Sequence, residues 1–167
     1  MNLPQTILRG LQFIWVIIIT ALIGNVIADA YSGNPATINY SMFVAVFCWI
    51  VLIYGLAAGF VESLAIPIVL MVMDGLAVIF TFIAAVILAA YLHVHSCGNE
   101  AYVTHNFLTN GSSNPKKRCQ ELQASCAFFW FLWATLIGSL VLSILGGRSI
   151  MSSSRGSARK GPSMAQV

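Results

Sequence analysis

The length of its apolar runs constrains this chain more than any other feature. Residues 11–27, 42–60, 68–91 and 124–145 are almost unbroken stretches of aliphatic and aromatic residues. Each is close to the ~20 residues a helix needs to cross the hydrocarbon of a bilayer. Hydrocarbon offers no water to backbone amides and carbonyls, so such runs fold as helices whose hydrogen bonds are internal. Composition agrees, since 59% of the 167 residues are hydrophobic and 8% are charged, whereas a soluble domain carries roughly a quarter charged residues. The expected fold class is all-α, a four-transmembrane-helix bundle occupying residues 1–145. Residues 146–167, rich in Ser, Gly, Arg and Lys, hold too little apolar surface to fold and are expected to form a disordered cytosolic tail. Hydropathy shows no heptad pattern and no internal repeat. Four spans leave no room for a separate soluble catalytic domain.

The first run imitates a secretory signal, with Arg9 before it and Ala28-Asp29-Ala30 after it. It is longer than a signal core, and an acidic residue beside the supposed cut opposes cleavage, so a retained first helix is the reading. Orientation follows the basic residues. Arg9, Arg148, Arg155, Arg159 and Lys160 lie on the side of the termini, against Lys116, Lys117 and Arg118 in the third connection. This margin favours both termini in the cytosol.

The first connection, residues 29–38, holds the turn formers Gly33, Asn34 and Pro35. The second, 61–67, is a tight cytosolic turn with Glu62 and Pro67, the latter suited to the first turn of the next helix. The third, 93–120, is long and polar. Cys97 and Cys119 flank it, and in an oxidising compartment they could pin it closed as a disulfide; two free thiols are the plainer alternative. Asn110-Gly111-Ser112 is a glycosylation sequon usable only if this loop enters the secretory lumen. Asn39-Tyr40-Ser41 also fits the pattern but abuts the second helix.

Within the runs, Asp74 is the only acidic residue. A carboxylate in hydrocarbon is costly and is by default a functional candidate, as a hydrogen-bonding or a titrating acid. The plainer reading places it near the cytosolic interface, bonded to a neighbouring helix or water. Asn25, Thr20, Thr81 and Thr135 are among the other polar groups in the spans, and no intramembrane Lys, Arg or His is expected to pair with Asp74. Gly55 and Gly59 form a GxxxG face suited to close helix packing, within the bundle or between copies of a homo-oligomer. Ala134, Gly138 and Ser139 give the fourth helix a similar face. Arg148, Arg155, Arg159 and Lys160 could touch anionic lipid headgroups, and otherwise serve as a solvated orientation signal. Cys48 and Cys126 read as apolar packing residues. His93, His95 and His105 show no metal spacing, so no metal and no cofactor are expected. Phosphate loops, nucleophile elbows and HExxH are absent, which argues against an enzyme. A charge of +3 divided between two sides of a membrane does not suit nucleic acid.

Taken in order, Asn39-Tyr40-Ser41-Met42-Phe43, Phe60-Val61-Glu62-Ser63-Leu64-Ala65-Ile66-Pro67, Asp74, Phe80-Thr81-Phe82, His95-Ser96-Cys97, Arg118-Cys119 and Gln166-Val167 resemble the fungal non-classical export proteins. Those are tetraspan members of the MARVEL-like group. The resemblance covers nearly the whole chain. It implies a non-enzymatic organiser of plasma-membrane microdomains of the eisosome-associated kind, responsive to sphingolipid levels. The partners it implies are membrane lipids, sphingolipids among them, and eisosome-associated membrane or coat proteins. It also implies a role in export without a signal peptide. In this family pattern Glu62 and Asp74 occupy acidic positions, and Cys97 and Cys119 match the loop cysteines. The tail here is shorter and less basic than the resemblance leads one to expect. Two other functions remain open: a small transporter or channel using Asp74 with Asn25 or Thr81, and a trafficking factor for export cargo.

Overall fold

Each apolar run is helical, and each helix is longer than its run. The computed structural model describes residues 3–93 and 95–157, with side chains for all of these except 62 and 146–157. Its elements are α1 (Leu3–Ala28), α2 (Ala36–Phe60), a short 3₁₀ turn (Glu62–Leu64), α3 (Pro67–Leu92), α4 (Glu100–His105) and α5 (Pro115–Ser157). The starts and stops follow local chemistry. Pro67 opens α3, where its missing N–H has no helical partner to lose. Asn99 and Asn114 each accept a backbone N–H of the helix that follows, from Tyr102 and Lys117 respectively. His93 ends α3 in the left-handed region, at φ 45°.

Two of the boundary differences from the sequence reading matter most. The α1 helix begins eight residues before the apolar run and so carries Arg9 and Gln12 within it. The α5 backbone stays helical through Gly146 and Gly147 to Ser157, whereas the sequence places the end at 145. A glycine costs a helix about 1 kcal/mol, too little alone to stop one whose hydrogen bonds already propagate. Arg148 and Arg155 fall on this stretch, whose side chains lie outside the description, and Arg159 and Lys160 lie outside the described residues.

Successive spans are neighbours, α1, α2 and α3 through short connections and α3 and α5 through the longer segment that holds α4. The ring runs α1, α2, α3, α5 and back to α1, with α1 opposite α3 and α2 opposite α5. The buried residues of α1 are Arg9, Gln12, Val16, Ile19, Ile23 and Val26, alternately three and four apart. On α5 the buried series Leu122, Ser125, Phe129, Leu132, Leu136 and Ser139 has the same spacing. A heptad-like seam is therefore present, although hydropathy does not display it. Lipid makes both faces of each helix apolar, so period is lost from hydropathy and survives only in burial. Facing lipid are Ile14 and Ile17 of α1, Ile50 and Ile53 of α2, Ile79 of α3 and Phe131 of α5, all exposed.

Candidate functional site

The one element on which the sequence marks a buried charge is α3, and there Asp74 is wholly buried. Its partner is Arg9. Arg9 Nη2 donates to both Asp74 Oδ1 and Oδ2 at 2.8 Å, and the arginine is 2% exposed. The expectation that no intramembrane base pairs with Asp74 is thereby corrected. Arg9 lies just outside the apolar run, but the helix extends through it and its face points inward.

This pair spans the bundle's diagonal. Among the described residues, no Cα of α1 lies within 8 Å of a Cα of α3, so a long side chain is needed to join them. The room comes from Gly55 on α2. A Cβ there would stand 2.9 Å from Arg9 Cζ, closer than real contacts allow. Gly55 thus serves packing inside the bundle, but against a guanidinium and not against a neighbouring backbone. Gly59 is half-buried one turn further along.

The second terminal nitrogen of Arg9 is engaged as well. Arg9 Nη1 donates to Gln12 Oε1 at 3.1 Å, and Gln12 Nε2 to the Thr135 carbonyl of α5 at 3.1 Å. One turn towards the termini, Gln5 Nε2 donates to Ser139 Oγ at 2.7 Å. All four spanning helices therefore meet around one ion pair, held by Coulomb attraction and charge-assisted hydrogen bonds. Chemically this is a closed, neutralised pair. Thr81 hydrogen-bonds the Ala77 carbonyl within its own helix. Asn25 donates to Glu121 and stands 16 residues along α1 from Arg9, about 24 Å away. Neither of the helpers named from the sequence touches Asp74.

The opposite end is a folded polar cap. Cys97 and Cys119 are joined by a disulfide, with Cα atoms 5.7 Å apart. Arg118, next to it, is 2% exposed. Its Nε donates to the Leu108 carbonyl at 2.8 Å, Nη1 to the Val26 carbonyl at 2.8 Å and Nη2 to Asn34 Oδ1 at 3.0 Å. Val26 O is one of the last carbonyls of α1, which no further helical turn could satisfy. The end of α3 is closed likewise: Tyr102 Oη donates to the Leu92 carbonyl and Asn106 Nδ2 to that of Tyr91. Burial pushes the Tyr102 phenol above its ordinary value of 10.0. A short antiparallel bridge, Ala30 to Ser112, ties the first connection to the third. What reads in sequence as a long polar loop is thus an ordered lid. The sequence marks its cysteines but not Arg118, whose neighbours Lys116 and Lys117 are exposed.

The other marked residues are placed as follows. Asn110 is exposed on the cap surface. Pro67 begins α3, and Glu62 lies in the 3₁₀ turn with its side chain outside the description. Gly138 meets Leu8, and Ser139 is buried, while Ala134 faces outward. Among the described residues no three His, Cys, Asp or Glu side chains converge as a metal site.

Comparison with known proteins places this architecture. The membrane-associating MARVEL domain matches residues 2–142, covering Arg9, Asp74 and the cap. The chain is 37% identical over 168 residues to non-classical export protein 102 of Candida albicans, covering 98% of this chain and 97% of that one. It is 34% identical over 143 residues to non-classical export protein 2 of Saccharomyces cerevisiae, covering 85% and 80%. A Schizosaccharomyces pombe homolog of the latter is 30% identical over 113 residues, covering 67% and 60%. No solved structure matches. Four membrane-crossing helices, a domain match across them and relatives aligned over most of the chain lead to one assignment: this protein belongs to the fungal non-classical export protein family of multi-pass, MARVEL-domain membrane proteins.

Proposed function

We propose that this protein is a non-enzymatic organiser of plasma-membrane microdomains, of the eisosome-associated kind, that responds to sphingolipid levels. The observation carrying this reading is the division of its surface chemistry. Arg9, Asp74 and Gln12 are bonded to one another inside the bundle, while the outward faces of the spans are apolar. A molecule built this way acts through what it packs against, lipid and neighbouring membrane proteins. The termini face the cytosol on this reading. Burial removes Arg9 from one side of the charge balance and Arg118 from the other, so the basic excess on the terminal side keeps its size.

Fluorescence imaging of the tagged protein tests the proposal. The expected result is a patchy plasma-membrane distribution that redistributes when sphingolipid synthesis is inhibited. Uniform fluorescence before and after inhibition overturns it. The names of the relatives favour a second role, in non-classical export of cargo. Deletion that blocks secretion while leaving the membrane patches intact would select that role. Transport through Asp74 is the weaker rival, because both carboxylate oxygens are held by Arg9.

A further inference from the structure

At the cap end, α3 and α5 part around a cavity of about 460 Å³ lined by Ala89, Leu92, His95, Ser96, Gln123 and Cys126. Its size falls within the ~300–1,000 Å³ of small-molecule sites. The lining divides by chemistry along the helices. Ala89 and Leu92 of α3 and Cys126 of α5 make an apolar floor on the bilayer side. His95, Ser96 and Gln123 make a polar rim on the cap side, and none of the six is Asp, Glu, Lys or Arg.

The rim is held in place. Gln123 Nε2 donates to the His95 carbonyl at 2.7 Å, and the Gly98 amide donates to Ser96 Oγ at 3.2 Å. The His95 ring packs on Tyr102 with centroids 4.8 Å apart. Cys97, the residue after Ser96, is anchored by the disulfide. His95 Nδ1 lies 2.9 Å from the His93 carbonyl, which can only accept, so Nδ1 donates there and in the uncharged tautomer Nε2 is the acceptor. Gln123 Oε1 is a second acceptor, and the Ser96 hydroxyl can donate.

A phosphate or ammonium head would meet no countercharge on this rim, whereas a hydroxyl would find acceptors for its proton and a donor for its oxygen. We propose that this cavity between α3 and α5 binds a neutral membrane lipid whose head is a hydroxyl, entering sideways from the leaflet beside the cap. Sterols and diacylglycerols share that chemistry. This site stands independently of the organiser role, since occupancy is read directly on the purified protein.

The full chain in phosphatidylcholine nanodiscs is photolabelled with diazirine probes built on a sterol, a diacylglycerol or phosphatidylcholine, and adducts are mapped by mass spectrometry. Saturable adducts on the segments 89–96 and 123–126 are expected with a hydroxyl-headed probe; which of the two labels identifies the lipid class. Gln123→Leu removes a rim group, and Ala89→Phe fills the floor without touching any rim hydrogen bond. Each should lower labelling about three- to tenfold, the worth of one hydrogen bond or of lost space. An intact disulfide on a non-reducing gel shows that the variants are folded. Equal labelling by the phosphatidylcholine probe, or labelling unchanged in folded Ala89→Phe, overturns the proposal.

Discussion

Arg9 and Asp74 stand on helices that face each other across the bundle, and Arg9 Nη2 bridges the gap at 2.8 Å to both carboxylate oxygens. Each charge alone would be expensive at this depth, and together they cancel. The pair therefore works as a pin whose halves are each harmful without the other.

Removing one half should be severe. Asp74→Ala leaves the guanidinium buried and unpaired, a loss of about 3–5 kcal/mol by analogy with broken buried pairs. The double substitution Arg9→Met with Asp74→Leu should recover most of that loss. Thermal unfolding of the purified variants in detergent measures both, and a double variant no more stable than Asp74→Ala would refute the pin.

Gly55 should be intolerant where Gly75 is not. A Cβ at Gly55 collides with Arg9 Cζ at 2.9 Å, while one at Gly75 meets nothing within 4 Å. Gly55→Ala should cost about 1–3 kcal/mol through overpacking. Gly75→Ala should be neutral or slightly stabilising. Melting temperatures of the pair, taken side by side, separate a specific collision from a general dislike of larger residues.

Reduction should loosen the cap and spare the spans. Cys97 and Cys119 are 22 residues apart, for which loop closure is worth about 3 kcal/mol. In dithiothreitol the melting temperature should fall and cap amides should exchange faster, with the far-ultraviolet helical signal retained. Arg118→Leu should mimic this, since it releases three hydrogen bonds at once.

Alkali should open the same region through Tyr102. Its phenol is raised above 10.0 by burial, so the folded state favours the neutral form. That contribution is complete below the ordinary tyrosine value and is lost as pH climbs through the raised one. The melting temperature should fall above about pH 10 in the native chain. Tyr102→Phe should flatten that dependence.

Asn110 reports the side on which the cap lies. It is exposed, and with a lumenal cap, expression through a secretory pathway should add an N-glycan. The expected sign is a gel shift abolished by peptide N-glycosidase F and by Asn110→Gln.

Much was legible in the chain because lipid imposes a coarse code. Runs of about 20 apolar residues reveal the spans, and Pro67 marks the start of α3, since these depend only on hydration and local backbone chemistry. Cys97 and Cys119 could be named as partners by their flanking positions. Arg9 and Arg118 could not be recognised, because a basic residue at the edge of an apolar run reads as an orientation signal whether it faces water or a carboxylate.

The amino-acid sequence by itself therefore determined that this protein crosses the membrane four times, because burying so much apolar surface in water is not an option. Tertiary structure alone decided which face of each helix is inside. In hydrocarbon both faces are equally apolar, so the inward face is selected by sparse features: a glycine that leaves room, a carboxylate that needs a base, and carbonyls at helix ends that need donors. Asp74 is visible in the sequence, but its partner is set only by the fold, which brings α1 and α3 to opposite sides of the same core.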